Sequence, residues 1–425
     1  MKKRVLVFPC GSEIGLEIHR SLRYSTHFEL VGASSVNDHG RFVYDEYVGG
    51  LPLASDARFA QAIIAVASQY RIDAIYPTMD SVAEIVQNLA AETGIRVIGS
   101  GPRATAICAS KSATYDLLEP HIAVPKRYAS IDEIEHYPIF IKPDRGYGSR
   151  NTCRASTRDA AQAFLSGFAP GSMLLLEYLP GREWTIDCFS DRHGKLRFHG
   201  VRQRIRVVNG ISVNTAPRDD FAEEFECWAR TINEVLTPRG AWFFQARRDA
   251  AGKPKLLEVA ARLGGSSALF RCRGVNFALL SAFDAFDRDV EITPNHYPIE
   301  LSRALDNRFR IEIEFEHVYV DLDDCLLLGD RINHQLVGFL YKAISEGKRI
   351  TLLTRHADDP ITTLHRLRLG ELFDEVVHVR DGSTKADHIV ADAAIFIDDS
   401  HRERTQVARL HKIPTFSPDM IECLL

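Results

Sequence analysis

The strongest constraint on this chain is a change of rhythm along it. Short apolar strands alternate with helical stretches at both ends, whereas strands in the middle follow one another across turns. At the start, Val5-Leu6-Val7-Phe8 runs into Gly11-Ser12-Glu13-Ile14-Gly15 and then a helical pattern to Leu22. A strand buried on both faces needs a helix to return the chain, so this opening predicts a doubly wound α/β domain. Strands at 29–32, 74–76 and 96–98, with a helix near 58–69, continue it to a boundary near residue 100. From 111 to 305 the strands at 139–142, 173–178, 184–190, 197–200, 241–249 and 255–260 predict an α+β domain. Alternation returns from about 312, with strands at 317–320, 350–353, 375–379 and 394–397. The expected fold class is therefore α/β multidomain, in three parts: 1–105, 106–305 and 312–425.

The 425 residues suit that count at roughly 150 residues per domain. A net charge of -5 with interspersed signs excludes a basic nucleic-acid face and leaves small molecules as expected partners. The eight cysteines form no CxxC pair, which predicts free thiols and a cytoplasmic location. No run approaches the roughly 20 apolar residues of a membrane span. Lys2-Lys3-Arg4 resembles the charged start of a leader, but Pro9 and Gly11 end the apolar run, so a buried first strand is expected. The Gly11 to Gly15 turn lacks the middle glycine of a dinucleotide fingerprint and reads as a tight strand-to-helix turn. Its helix N-terminus could still hold a substrate carboxylate. Oligomeric state is left open, a homo-oligomer included.

Two stretches carry chemistry. Lys142 closes an apolar strand and precedes Arg145-Gly146-Tyr147-Gly148-Ser149, so a fixed cation and bare backbone N–H groups can approach phosphates together. Downstream, Leu176-Glu177-Tyr178-Leu179-Pro180-Gly181-Arg182-Glu183 ends another apolar strand with two spaced acids that can meet an adenine edge and ribose hydroxyls. With Lys111, Gln245, Glu258 and Arg262, these pieces resemble the ATP-grasp superfamily, in its carbamoyl-phosphate-synthase and biotin-carboxylase-like branch, over about residues 1–305. The resemblance implies a Rossmann-like pre-ATP-grasp domain, then an ATP-grasp domain. It implies that Lys111 and Lys142 hold ATP phosphates beneath the Gly146, Gly148 and Ser149 loop. Glu177 and the Leu179 backbone would meet adenine, and Glu183 the ribose. Gln245 and Glu258 would place Mg2+, and Arg262 would stabilise the transferring phosphoryl group. One departure stands out. The family's Glu-x-Asn-x-Arg is here Glu258-Val259-Ala260-Ala261-Arg262, so Gln245, Asp249 or water must supply the lost oxygen. Arg262, Arg271 and Arg273 are candidates for binding substrate carboxylates.

In the last part, the strand at 317–320 leads into Asp321-Leu322-Asp323-Asp324-Cys325, and the strand at 394–397 into Asp398-Asp399. Between them lie Thr354 at a strand end and Lys385 before a short helix. Acids at the C-terminal ends of strands face the crevice where doubly wound sheets bind ligands. These four elements resemble the haloacid dehalogenase (HAD) superfamily. The resemblance implies Asp321 as nucleophile, Asp323 as acid and base, and Thr354 and Lys385 holding phosphoryl oxygens. Mg2+ would sit among Asp321, the Asp323 carbonyl and Asp398, with Asp399 in support. The stretches between these elements hold one helix and strand each, so a capless doubly wound domain is expected. The function expected is an ATP-dependent carboxylate-amine ligase fused to a Mg2+-dependent phosphatase acting on a phosphorylated metabolite. Two alternatives remain: a phosphatase regulated by an ATP-binding module, and a non-enzymatic nucleotide sensor.

Overall fold

The computed structural model describes residues 2–425 apart from Tyr147, Ser149 and Ala391. The chain divides into two compact units, Met1–Asp306 and Asn307–Leu425.

Unit 1 begins with a parallel sheet of β1 (Lys3–Phe8), β2 (Phe28–Ala33), β3 (Glu46–Val48), β4 (Ala74–Pro77) and β5 (Arg96–Val97), in the order β3-β2-β1-β4-β5. Val5, Leu6 and Val7 are fully buried, as a central parallel strand covered on both faces requires. The helix Glu13–Leu22 starts at Ser12, whose Oγ accepts from Gly15 N at 3.0 Å. Gly15 has no alternative, since a Cβ there would stand 2.3 Å from the Cys10 carbonyl oxygen. The turn between β1 and this helix is therefore filled by the protein's own atoms. The Ser12 hydroxyl bonds Thr78 Oγ1 at 2.8 Å, and the Asp38 carboxyl abuts Gly11.

Two antiparallel sheets follow. The first comprises β6 (Arg127–Tyr128), β7 (Ile139–Pro143), β8 (Cys153–Ala155) and β9 (Met173–Glu177), ordered β6-β9-β7-β8. The second comprises β10 (Glu183–Ser190), β11 (Leu196–Val208), β12 (Ile211–Pro217), β13 (Gly240–Arg248), β14 (Pro254–Ala260) and β15 (Leu301–Ser302), ordered β14-β13-β10-β11-β12-β15. Alternate residues of β10 and β13 point inward as Trp184, Ile186, Trp242 and Phe244, and the helix Ala222–Leu236 supplies Phe225 and Trp228 against them. Ring centroids of 5.4–6.3 Å link Trp184, Phe221, Phe225, Trp228, Phe244 and Trp242 into one aromatic core. On the opposite face, Phe189 and Ala241 join a second apolar core, and Glu183, Gln245 and Arg247 look into a cleft.

Unit 2 is a second parallel sheet: β16 (His317–Val320), β19 (Arg349–Thr354), β20 (Glu375–His378), β21 (Ala394–Ile397) and β22 (Thr415–Phe416), ordered β20-β19-β16-β21-β22. A small hairpin, β17 (Leu327–Leu328) with β18 (Arg331–Ile332), follows the first of these strands. Strand order reverses between β16 and β21, and the crevice at their carboxyl ends is where such sheets take ligands. No helix among the described residues is long and apolar enough to cross a membrane.

Candidate active sites

In unit 1 one cleft is lined by Lys111, Lys142, Gly146, Gly148, Glu177, Leu179, Glu183, Gln245 and Glu258, nine of the residues named from the sequence. Lys142, near the end of β7, is buried and donates to Tyr115 Oη at 2.9 Å and the Leu257 carbonyl at 3.0 Å. Burial lowers its pKa to about 8, although Glu258, Glu183 and Asp144 pull the other way. Lys111 is the first residue of a helix capped by Ser110, and its Nζ donates to the carbonyls of Asp144 at 3.2 Å and Gly146 at 3.0 Å. Its pKa is also lowered, chiefly by burial. The Asp144 carboxylate accepts from Ser112 N at 2.7 Å and Ser110 Oγ at 2.8 Å, which pins the glycine loop to that helix start. Gly146 and Gly148 have φ of +143° and +69°, values that a side chain would strain. Ser149 lies outside the described residues.

Across the cleft, Glu177 Oε1 accepts from Lys126 N at 2.8 Å and stands 3.1 Å from Lys255 Nζ, so its carboxylate is held by the scaffold. Glu183 pairs with Arg204 and lies 3.8 Å from Arg247. Gln245 and Glu258 are directly paired in the β13–β14 ladder, which puts both side chains on the cleft face. Gln245 Oε1 accepts from Arg204 at 2.8 Å. Among the described residues, the Glu258 carboxylate makes no hydrogen bond or ion pair. Asp249 instead closes the β13–β14 turn, accepting from Lys253 N at 2.8 Å. A hard divalent cation therefore finds one unspent carboxylate, at Glu258. A second such cation finds methyl at Ala260 and an amide oxygen already facing a guanidinium. The residues fit one magnesium and do not fit two.

Arg262 leaves the cleft wall and forms an ion pair with Asp80 at 2.9 Å, at the first residue of the helix Asp80–Thr93 beyond β4. Arg271 pairs with Glu17 at 2.7 Å, and Arg273 donates to the Asn295 carbonyl at 2.8 Å.

In unit 2 the switch-point crevice gathers Asp321, Asp398 and Asp399, each offering an oxygen within 4.8 Å of the others. Lys385 stands between the first two, 2.8 Å from Asp321 Oδ1 and 2.6 Å from Asp398 Oδ2. Asp321 Oδ1 is thus buried in an ion pair with Lys385. Burial raises the Asp321 pKa to about 6 against the pull of Lys385, and burial raises Asp398 as well. Three carboxylates converging in one crevice suit Mg2+. Thr354, fully buried at the end of β19, accepts from His356 N at 3.1 Å and keeps its own proton to donate. The Asp323 carboxylate is held by His356 Nδ1 at 2.9 Å. Cys325 is buried beside the crevice and donates to the Ile397 carbonyl at 3.8 Å, and burial with the nearby Asp321, Asp398 and Asp399 charges pushes its thiol pKa up.

Residues 170–304 match the family described as ATP-grasp in the biosynthetic pathway with Ter operon. A D-alanine–D-alanine ligase of Thermotoga petrophila is 31% identical over 137 residues, 30% of this chain and 45% of that protein's length. The chain thus spans under half of that relative. The biotin carboxylase domain of Hydrogenobacter thermophilus 2-oxoglutarate carboxylase, solved with MgADP, ADP and bicarbonate, matches with a TM-score of 0.58 at 18% identity, covering 68% of this chain and 71% of that one. N5-carboxyaminoimidazole synthetase of Staphylococcus aureus, solved with ADP, matches with a TM-score of 0.59 at 14% identity, covering 72% and 83%. Unit 1 has the ATP-grasp fold.

Within the ATP-grasp unit, the residues that sequence reasoning missed are those that hold the others in place. Tyr115 and Asp144 fix the two lysines and the glycine loop, and Asp80 receives Arg262. Arg204 joins Glu183 to Gln245. Asp144 had a signal, since it directly follows the Lys142-Pro143 strand end. Arg204 had none, because its partners lie 21 and 41 residues away.

Proposed function

We propose that the ATP-grasp unit is an ATP-dependent carboxylate-amine ligase and that unit 2 is a magnesium-dependent phosphomonoester hydrolase. The observation that carries the first part is the meeting of Lys111, Lys142, Glu183 and Glu258 in one cleft beneath a glycine loop. Two desolvated ammonium groups attract phosphate oxygens more strongly than solvated ones would. Backbone N–H groups of Gly146 and Gly148 add donors without side-chain bulk. Glu258 would hold one magnesium, which supplies charge neutralisation on the phosphates. A substrate carboxylate oxygen attacks the γ-phosphorus, ADP leaves, and an acyl phosphate forms; an amine then attacks its carbonyl carbon and releases phosphate. Arg262, oriented by Asp80, is in reach of the β4 end of the parallel sheet, where the carboxylate would enter. The matched family's description names a biosynthetic pathway, which favours a small-molecule product.

For unit 2, support comes from the convergence of Asp321, Asp398 and Lys385 at the switch point. Asp321 attacks phosphorus, and the alcohol leaves with a proton from Asp323, which His356 orients. Asp323 then takes a proton from the water that hydrolyses the aspartyl phosphate. Thr354 and Lys385 hold the phosphoryl oxygens. Magnesium at Asp321, Asp398 and the Asp323 carbonyl would supply offsetting charge.

A second reading, in which the ATP-grasp unit binds nucleotide only to regulate, is favoured by Ala260 and by the Gln245–Arg204 contact. ADP release that rises with both a carboxylate and an amine supports the ligase; tight ATP binding with no such release supports the regulator. Phosphate release from a phosphomonoester panel tests unit 2 independently.

A further inference from the structure

We infer that Arg204 takes the place of one divalent cation in the nucleotide cleft, so that the bound nucleotide is neutralised by one magnesium and one guanidinium. This rests on reading the cleft as a nucleotide site. Arg204 is 7% exposed, on the cleft face of β11, directly before a bulge at Ile205. Bulges re-aim side chains, and they recur beside active sites. Its guanidinium is fixed at three points: Glu183, Gln245 Oε1 at 2.8 Å, and the Gly210 carbonyl at 2.6 Å in the β11–β12 turn. One donor remains. Nε is buried and, among the described residues, has no hydrogen-bond partner, a costly state for a charged group. Arg204 lines the same cleft as Lys142, Glu258 and Gly210, so an anionic oxygen bound there would lie beside its guanidinium.

The metal side of the cleft points the same way. Ala260 cannot coordinate, and the Gln245 oxygen accepts from Arg204. A second Mg2+ at Gln245 would sit against a guanidinium that cannot deprotonate, and like charges at such range repel. A fixed cation thus already takes up the Gln245 oxygen, the candidate ligand that could have stood in for the one missing at Ala260.

The test uses the full chain and ADP as probe. ADP affinity is measured by calorimetry in chelator and across a magnesium series, for wild type, Arg204→Gln, Arg204→Lys and Lys142→Met. The Mn2+ that ADP adds to the nucleotide-free protein, whose unit 2 crevice can take an ion of its own, is counted by electron paramagnetic resonance on the wild type, which needs no variant to fold. The expected count is one. Wild type should retain measurable ADP affinity in chelator, Arg204→Gln should lose about 10- to 100-fold there, and Arg204→Lys should fall between. Two Mn2+ added per ADP, or wild-type affinity of Arg204→Gln at every magnesium level, would overturn the proposal. If Lys142→Met also bound ADP normally, it is the reading of the cleft as a nucleotide site that would fail.

Discussion

Replacing Lys142 by Met removes a charge from the nucleotide cleft while keeping the length and apolar stem of the side chain. The structure gives this change a double signature. Nζ sits among Tyr115 Oη and the Leu257 carbonyl, and Tyr115 also donates to Leu257 O at 2.7 Å, so that carbonyl keeps a partner in the variant. The pKa of about 8, against an ordinary 10.5, means that the folded protein binds this proton less tightly than the unfolded chain. Stability contributed by this group is therefore poorest below pH 8 and rises from about pH 8 to 10.5, with a span on the order of 3 kcal/mol. Lys142→Met should be at least as stable as wild type at pH 7 and should lose that rise. Its ATP affinity should fall by about one to two decades, the worth of a charge-assisted contact of roughly 1.5 to 3 kcal/mol. Protonation supplies an independent assay. In wild type about three quarters of the amine is neutral at pH 8.5, so ATP binding there should take up most of a proton, and only about a tenth at pH 7. Calorimetry in buffers of different ionisation enthalpy reads this directly. Unchanged affinity in the variant, or proton uptake that does not grow between pH 7 and 8.5, would refute the argument.

Asp321→Asn should abolish phosphatase turnover while leaving ADP affinity unchanged, as read by phosphate release and calorimetry. The wild-type Asp321 pKa of about 6 means that the folded state binds the extra proton between about pH 4 and 6, so metal-free stability falls as pH rises through that window; the Asn variant should lose this component. Gly15→Ala drives a Cβ to 2.3 Å from the Cys10 carbonyl and should destabilise unit 1 by about 1 to 3 kcal/mol, as a lower urea midpoint followed by fluorescence would show.

How far the sequence could be read depended on where each residue's partners lie. Lys142 and Glu258 were legible because each ends or lies in an apolar strand, and burial on one face tells where the polar face points. β11 was not. It runs Leu196–Val208, while only 197–200 reads as a strand, because Arg202-Gln203-Arg204-Ile205-Arg206 is mostly polar and lacks apolar periodicity. Arg202 is buried against Asp187, at 3% exposure for both, a pairing that no local pattern announces. Arg271 and Arg273 looked like carboxylate binders for the same reason: sequence shows a cation and hides its partner, here Glu17, which lies 254 positions away, and the Asn295 carbonyl. In unit 2 the strand-end acids were legible individually. Their convergence follows from the order β20-β19-β16-β21-β22, which makes the strands bearing Asp321 and Asp398 neighbours.

The central claim, that the unit 1 cleft uses ATP to activate a carboxylate, is tested most directly by trapping the activated carboxylate with hydroxylamine. Purified full-length protein is incubated with ATP, magnesium, hydroxylamine and each member of a carboxylate panel, and ADP and hydroxamate are measured together. The account predicts at least one carboxylate that yields hydroxamate in equal amount with ADP, with both products lost in Lys142→Met. ADP formation that is the same with and without every carboxylate, and accompanied by no hydroxamate, would contradict it.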